Sequence, residues 1–153
     1  VLPAYPSAVY TQERFLVGTV RYVYCFSRNG MLQGLALPPE QERFVCSPSA
    51  TPFQSAFVIV SKSKTQNSGH LISYGLSGQE LWRTQFTSPS EFPPVVDATG
   101  SIYVSGTVRI YKFNSAGVLQ SSVAAGNGQL TLDATQAGPR IYQQYGGQMH
   151  AFH

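Results

Sequence analysis

The stretch LISYGLSGQELW (71–82), followed by PPVVDATGSIYV (93–104), decides the fold. Its first half reads as a strand ending in an aromatic, Tyr74, then a tight turn carrying Gly78, then a second strand that reaches Trp82. A tight hairpin needs a residue that tolerates positive φ, and glycine does so without steric penalty. The second half is a short apolar strand, an Asp-Ala-Thr-Gly turn and another apolar strand. Nothing in either half repeats every 3.6 residues, so the reading is an antiparallel meander.

The same unit recurs along the chain. FLVGT (15–19), FVIVS (57–61), IYVSG (102–106) and IYQQY (141–145) follow one another at spacings of 42, 45 and 39 residues. A second series, YVYCF (22–26), HLISY (70–74), RIYKF (109–113) and QMHAF (148–152), follows at 48, 39 and 39. The first three of these run into turns with glycine at Gly30, Gly78 and Gly117. PPVVDATGSIYV is echoed by QLTLDATQAGPRIY (129–142) and, more loosely, by PSAVYTQERFLV (6–17). One such sheet cannot bury both of its faces, so repeats of this length imply blades stacked around an axis. The expectation is an all-β chain of four antiparallel, four-stranded β-propeller blades, approximately 1–46, 47–88, 89–128 and 129–153, the last lacking its outer strand. The segments 61–69 (SKSKTQNSG) and 37–49 read as loop insertions, the places where a scaffold carries specificity.

Tyr74, Gly78 and Trp82, with the strand pair that follows, resemble the repeat of the pyrroloquinoline-quinone (PQQ) type β-propellers. The resemblance implies blade docking by these three residues, with Trp82 between neighbouring blades over the backbone near Gly78 or its equivalent. The other repeats carry Gly34 and Ser121 at the Trp82 position, and Gly75, Ser27 or Asn114 stand where the family usually has Asp. Quinoprotein dehydrogenases of this kind would imply a quinone stacked between a Trp and a disulfide of adjacent cysteines, with calcium held by Glu, Asn and Asp. Cys25 and Cys46 are not adjacent, and no carboxylate cluster offers the six to eight oxygens Ca²⁺ takes. Other members of the resembled family are outer-membrane assembly lipoproteins that scaffold a barrel-insertion machine, and luminal sensor domains.

Composition narrows the function classes. Charged residues make up 11% of the 153-residue chain, against about 25% in an average soluble protein. A polar but uncharged surface suits an exported β-protein, so a periplasmic, secreted or luminal location is expected. The net charge of +3 comes from basic residues spread singly, with Lys62 and Lys64 the only close pair, which is no footprint for nucleic acid. Apolar runs are strand-sized, and none approaches a membrane span. Two cysteines leave one disulfide open.

Candidate sites have plain structural readings. Asp97 and Asp133 both stand in Asp-Ala-Thr, where a carboxylate just after a strand bonds its own turn. His70 and His150 fall in equivalent strands of different blades, and His153 stands at the chain end, so the three are not expected to form a metal site. No Gly-x-Ser-x-Gly elbow or Ser, His and carboxylate order suggests a triad. The aromatics that do not pack between blades remain, and Tyr5, Arg21, Tyr22, Gln144 and Tyr145 are the expected interaction surface. The function expected is a non-enzymatic scaffold or protein-interaction propeller without catalytic residues, cofactor or metal. The alternatives are part of a quinone- or metal-dependent oxidoreductase, and a carbohydrate-binding propeller. Four blades are few for the resembled family. Further blades are therefore expected from another segment or a partner chain, or from a head-to-tail homodimer.

Overall fold

The structure, a computed structural model, describes residues 8–11, 14–52, 56–133 and 139–152. Every regular element among them is a strand, and the strands form four antiparallel sheets in chain order. The first sheet is a meander of β1 (Ala8–Thr11), β2 (Arg14–Gly18), β3 (Val23–Ser27) and β4 (Leu32–Ala36). In the second, β7 (Ala56–Ser63), β8 (Ser68–Gly75) and β9 (Glu80–Thr87) follow in order. Both β5 (Glu42–Phe44) and β6 (Ser49–Ala50) pair with the edge of β7 that faces away from β8. The third sheet contains β10 (Val95–Val96), β11 (Ile102–Ser105), β12 (Arg109–Phe113) and β13 (Leu119–Ala124). The fourth has three strands among the described residues, β14 (Gln129–Asp133), β15 (Arg140–Tyr145) and β16 (Gln148–Phe152).

Three sheets repeat one device. The ladder between the third and fourth strands slips at Cys25/Phe26, at Ser73/Tyr74 and at Lys112/Phe113, each time at the aromatic that ends the strand. Four residues on, Gly30, Gly78 and Gly117 hold φ of 81°, 89° and 78°, the left-handed region that an L side chain resists. In each turn the glycine N–H donates to the carbonyl three residues back: Ser27, Gly75 and Asn114. The residue facing the slip is Gly34, Trp82 or Ser121.

Burial is greatest one strand out from the innermost strands and falls towards the outer edge. In β7 the run Ala56 to Ser61 is buried on both faces, and all of β11 is buried, whereas all of β13 is exposed. Strands covered by neighbours on both faces read as continuous apolar runs, which is why FVIV (57–60) shows no alternation. The inner strands lie side by side, β1 with β6, β6 with β10 and β10 with β14, so the sheets radiate as blades do. One apolar core joins the first three sheets through residues such as Leu16, Phe57, Ile72 and Phe113; a second joins the third and fourth through Tyr103, Ile110, Leu130 and Ile141. No helix among the described residues is long and apolar enough to cross a membrane.

Of the two segments read as loop insertions, the first is largely strand and the second contains a short strand within loop. Residues 61–69 extend β7 and β8 by pairing Ser61 with His70 and Lys62 with Gly69, leaving only a short turn. Within 37–49, β5 supplies an extra partner for that extension. Polar residues form strand here because their backbone groups find ladder partners beyond the core's edge, which side-chain hydropathy does not report.

Candidate functional site

The blades share a polarity. Hydrogen bonds tie the β7–β8, β11–β12 and β2–β3 hairpin tips to the segments linking one blade to the next. The Phe44 N–H donates to Val20 O, Ser88 N–H to Asn67 O, Thr107 N–H to Ser88 O and Ala125 N–H to Val108 O, at 2.8 to 3.1 Å. These tips and linkers therefore gather at one end of the molecule, called the hairpin end below. The glycine turns at Gly30, Gly78 and Gly117 close the opposite ends of the strands.

At the hairpin end β5 builds two different surfaces. Towards β7 and β8, the Glu42 carboxylate accepts a hydrogen bond from Ser61 Oγ and lies 2.8 Å from His70 Nδ1. Glu42 thus stands between the hydroxyl and the imidazole. A nucleophilic serine needs the imidazole as its own hydrogen-bond partner, so this is not a triad but a mostly shielded hydrogen-bond network that clips β5 to the blade. The other surface is basic. Arg43 is directly opposite Lys62 in the ladder, and with Lys64 and the tip residues Thr65 to Asn67 they line a hollow of about 450 Å³.

The expected interaction residues divide. Tyr5 lies outside the described residues, as does His153. Arg21 is exposed and Tyr22 half-buried at the β2–β3 tip, where Thr19 Oγ1 both donates to Tyr22 O and accepts from its N–H at 3.0 Å. Gln144 and Tyr145 are exposed at the end of β15. Tyr145 lies flat on Gly126, where a Cβ would come within 2.6 Å of three ring carbons, and its ring is 5.9 Å from that of His150. All four belong to hairpin tips equivalent in their blades. Sequence reasoning missed the clip of Glu42, Ser61 and His70, and also missed Gln143. The buried Gln143 amide donates to Ser105 Oγ at 3.2 Å and Gly126 O at 2.7 Å, tying the fourth blade to the third.

Of the residues expected to dock blades, Gly78 and Trp82 touch neighbouring sheets, whereas Tyr74 packs on rings of its own sheet. Tyr74 is buried, stacked on Phe57 at 5.5 Å and edge-on to Phe44 at 6.1 Å, with its hydroxyl donating to Leu37 O; burial pushes that hydroxyl's pKa up. Gly78 packs on the β4 backbone, where a Cβ would meet Leu35 C at 2.5 Å. Trp82 covers Gly117 of the third blade, the equivalent of Gly78. Ser121, in the Trp82 position one blade on, lines an open cleft of about 340 Å³ between the third and fourth sheets, with Tyr103, Lys112 and Phe152.

Asp97 is buried and holds its own turn. Its Oδ1 accepts from Thr99 N at 2.8 Å, Thr99 Oγ1 at 2.6 Å and Ser101 N at 2.9 Å, while Oδ2 accepts from Tyr103 Oη at 3.2 Å. Burial pushes the carboxyl's pKa up, but these donors outweigh it and leave it below the ordinary value. Asp133 pairs across its ladder with Arg140. His70 and His150 sit in different sheets with different partners, and no group of three or more His, Cys, Asp or Glu among the described residues is placed to hold a metal. Cys25 and Cys46 are free and buried.

Comparisons with known proteins agree on architecture. No family model matches the chain, and no curated protein matches it. Among solved structures, BamB from Moraxella catarrhalis superposes with a TM-score of 0.73 at 14% identity, over 95% of this chain and 41% of its own. A protein of unknown function from Bacteroides caccae gives 0.66 at 12% identity, over 92% of this chain and 53% of its own. A gluconolactonase from Xanthomonas campestris, described as important in glucose secondary metabolic pathways, gives 0.59 at 14%, over 93% and 54%. The fold is a β-propeller. This chain spans about half the length of those propellers or less.

Proposed function

We propose that this chain is a non-enzymatic, exported β-propeller segment of the PQQ-like repeat type, whose hairpin end binds a protein partner. The observation that carries the reading is Tyr145. The residue is 48% exposed yet its ring is held against Gly126, so it presents a large amphipathic surface with little freedom left to lose on binding. Arg21, Tyr22 and Gln144 occupy equivalent tips, and Tyr and Arg are the residue types that anchor interfaces. The repeat type rests on Tyr74, Gly78 and Trp82 and on the cover that Trp82 gives Gly117. Export, to a periplasm, lumen or exterior, rests on the 11% charged composition.

A photo-crosslinking residue placed at Arg21 or at Tyr145, with Ser115 at the opposite end as control, tests the reading in cells that express the protein. The expected result is one discrete cross-linked protein from the two hairpin-end positions and none from Ser115. Equal labelling from both ends, or dye-linked alcohol oxidation by the purified chain with PQQ and Ca²⁺, would overturn it.

A further inference from the structure

We infer that the basic hollow beside β5 is a binding site for an acidic peptide segment, whose carboxylates are held by Arg43, Lys62 and Lys64. This deepens the protein-binding reading above by naming the chemistry of the partner at one place. Arg43 and Lys62 are directly opposite each other on antiparallel strands, an arrangement that is destabilising when nothing neutralises it. The adjacent carboxylate does not do so: Glu42 is occupied by Ser61 and His70. Lys64 is fixed on the same rim by the bond from its N–H to Gln41 O at 3.0 Å, and Gln41 holds a φ of 63°. No ion pair to Arg43, Lys62 or Lys64 is formed among the described residues.

Three cations thus surround a hollow of about 450 Å³, an arrangement built at the expense of their mutual repulsion. Oxyanions satisfy it, because an Arg fork takes a carboxylate through two parallel bonds and lysines add point charge. A peptide fits better than a membrane surface. The tip from Lys62 to Asn67 carries no apolar side chain to enter a bilayer, while Thr65 and Gln66 offer exposed neutral donors and acceptors suited to peptide groups. The tip is also hydrogen-bonded in place: Ser63 Oγ accepts from Thr65 N and Gln66 N at 3.2 and 3.1 Å, and Asn67 Nδ2 donates to Ser88 Oγ at 2.8 Å.

Fluorescence anisotropy of a labelled hexaglutamate peptide tests the site on the intact chain. Saturable binding is expected, weakened about tenfold or more by Arg43→Gln/Lys62→Gln/Lys64→Gln, with little loss from the charge-matched Arg14→Gln/Arg83→Gln/Arg140→Gln. Both variants are checked by thermal melting, and the single Lys64→Gln, at an exposed tip, repeats the test if the triple variant does not fold. Absence of saturable binding overturns the site, as does equal weakening by both triples. Displacement of the peptide by inorganic phosphate or by phosphatidylglycerol vesicles at lower concentration overturns the choice of peptide. A Tyr145 cross-link that persists while the peptide fails to bind removes this inference alone. Peptide binding without any hairpin-end cross-link removes the broader reading instead.

Discussion

Trp82 of the second blade lies against Gly117 of the third, so closely that a Cβ on residue 117 would come within 2.6 Å of Trp82 Cζ3 and 2.8 Å of Cδ2. Thr84, two residues along the same strand, donates from Oγ1 to Gly117 O at 2.5 Å. Gly117 therefore meets two demands at once: its φ of 78° requires a residue free to adopt the left-handed region, and the indole leaves no room for a side chain.

Gly117→Ala should destabilise the chain by about 2 kcal/mol, and Trp82→Ala by about 3 kcal/mol through lost packing. The two losses should not add. Once the indole is gone, alanine at 117 retains only its backbone strain, so the double variant should fall short of the sum by about 1 kcal/mol. Urea melts of the four proteins measure this, and strict additivity would show that the ring and the turn are independent.

Asp97 should matter through hydrogen bonds rather than chemistry. Asp97→Ala removes the acceptor for two backbone N–H groups and the hydroxyls of Thr99 and Tyr103, and should destabilise by about 2 kcal/mol. Asp97→Asn keeps an oxygen for the turn and should lose less than half as much. Because the folded-state pKa lies below the unfolded value, the carboxylate's contribution is present above the unfolded pKa and is lost as pH falls through the folded one. The wild type should therefore lose more stability than Asp97→Asn between about pH 5 and pH 2. Parallel acid titrations of the two would refute this.

The sequence carried the blades because glycine, aromatic and apolar-run positions recur at a fixed offset, and each has a local cause. Trp82 was singled out by the resemblance carried by Tyr74 and Gly78 and not by the repeat, since Gly34 and Ser121 stand at the equivalent positions. What stayed hidden depends on distance along the chain. Glu42 and His70 are 28 residues apart, and their pairing exists only because β5 adds to the extended end of β7. Glu42–Phe44 itself follows two prolines and reads as loop. Which hairpin tips share an end follows from the bonds between tips and linkers, which side-chain pattern does not encode.

The clip of β5 should be measurable as a coupling. Glu42 accepts from Ser61 and lies within an ion-pair distance of His70, and both side chains are mostly shielded. A double-mutant cycle of Glu42→Gln and His70→Gln should give a coupling of about 1 kcal/mol. A coupling indistinguishable from zero would mean that β5 is held by its ladder alone.

The two thiols supply the last expectation, one that also probes the core. Cys25 and Cys46 are both free and buried, in the core cluster that joins the first three blades. Burial raises the Cys25 pKa to about 11, with Arg14 lowering it in part, and raises that of Cys46 to about 12 against a bond with the Val60 backbone. The thiolate is the reactive form, so at pH 8 neither group should be ionised appreciably, and neither is open to a reagent. An aromatic disulfide reagent at pH 8 should therefore leave the folded chain essentially unlabelled and modify both cysteines in 6 M guanidinium. Titrating guanidinium should release both thiols in one step, coincident with the loss of β-sheet signal, because a single core holds them. Fast labelling of Cys25 in the folded state, or release of one thiol well before the other, would show that the first blade opens independently of the second.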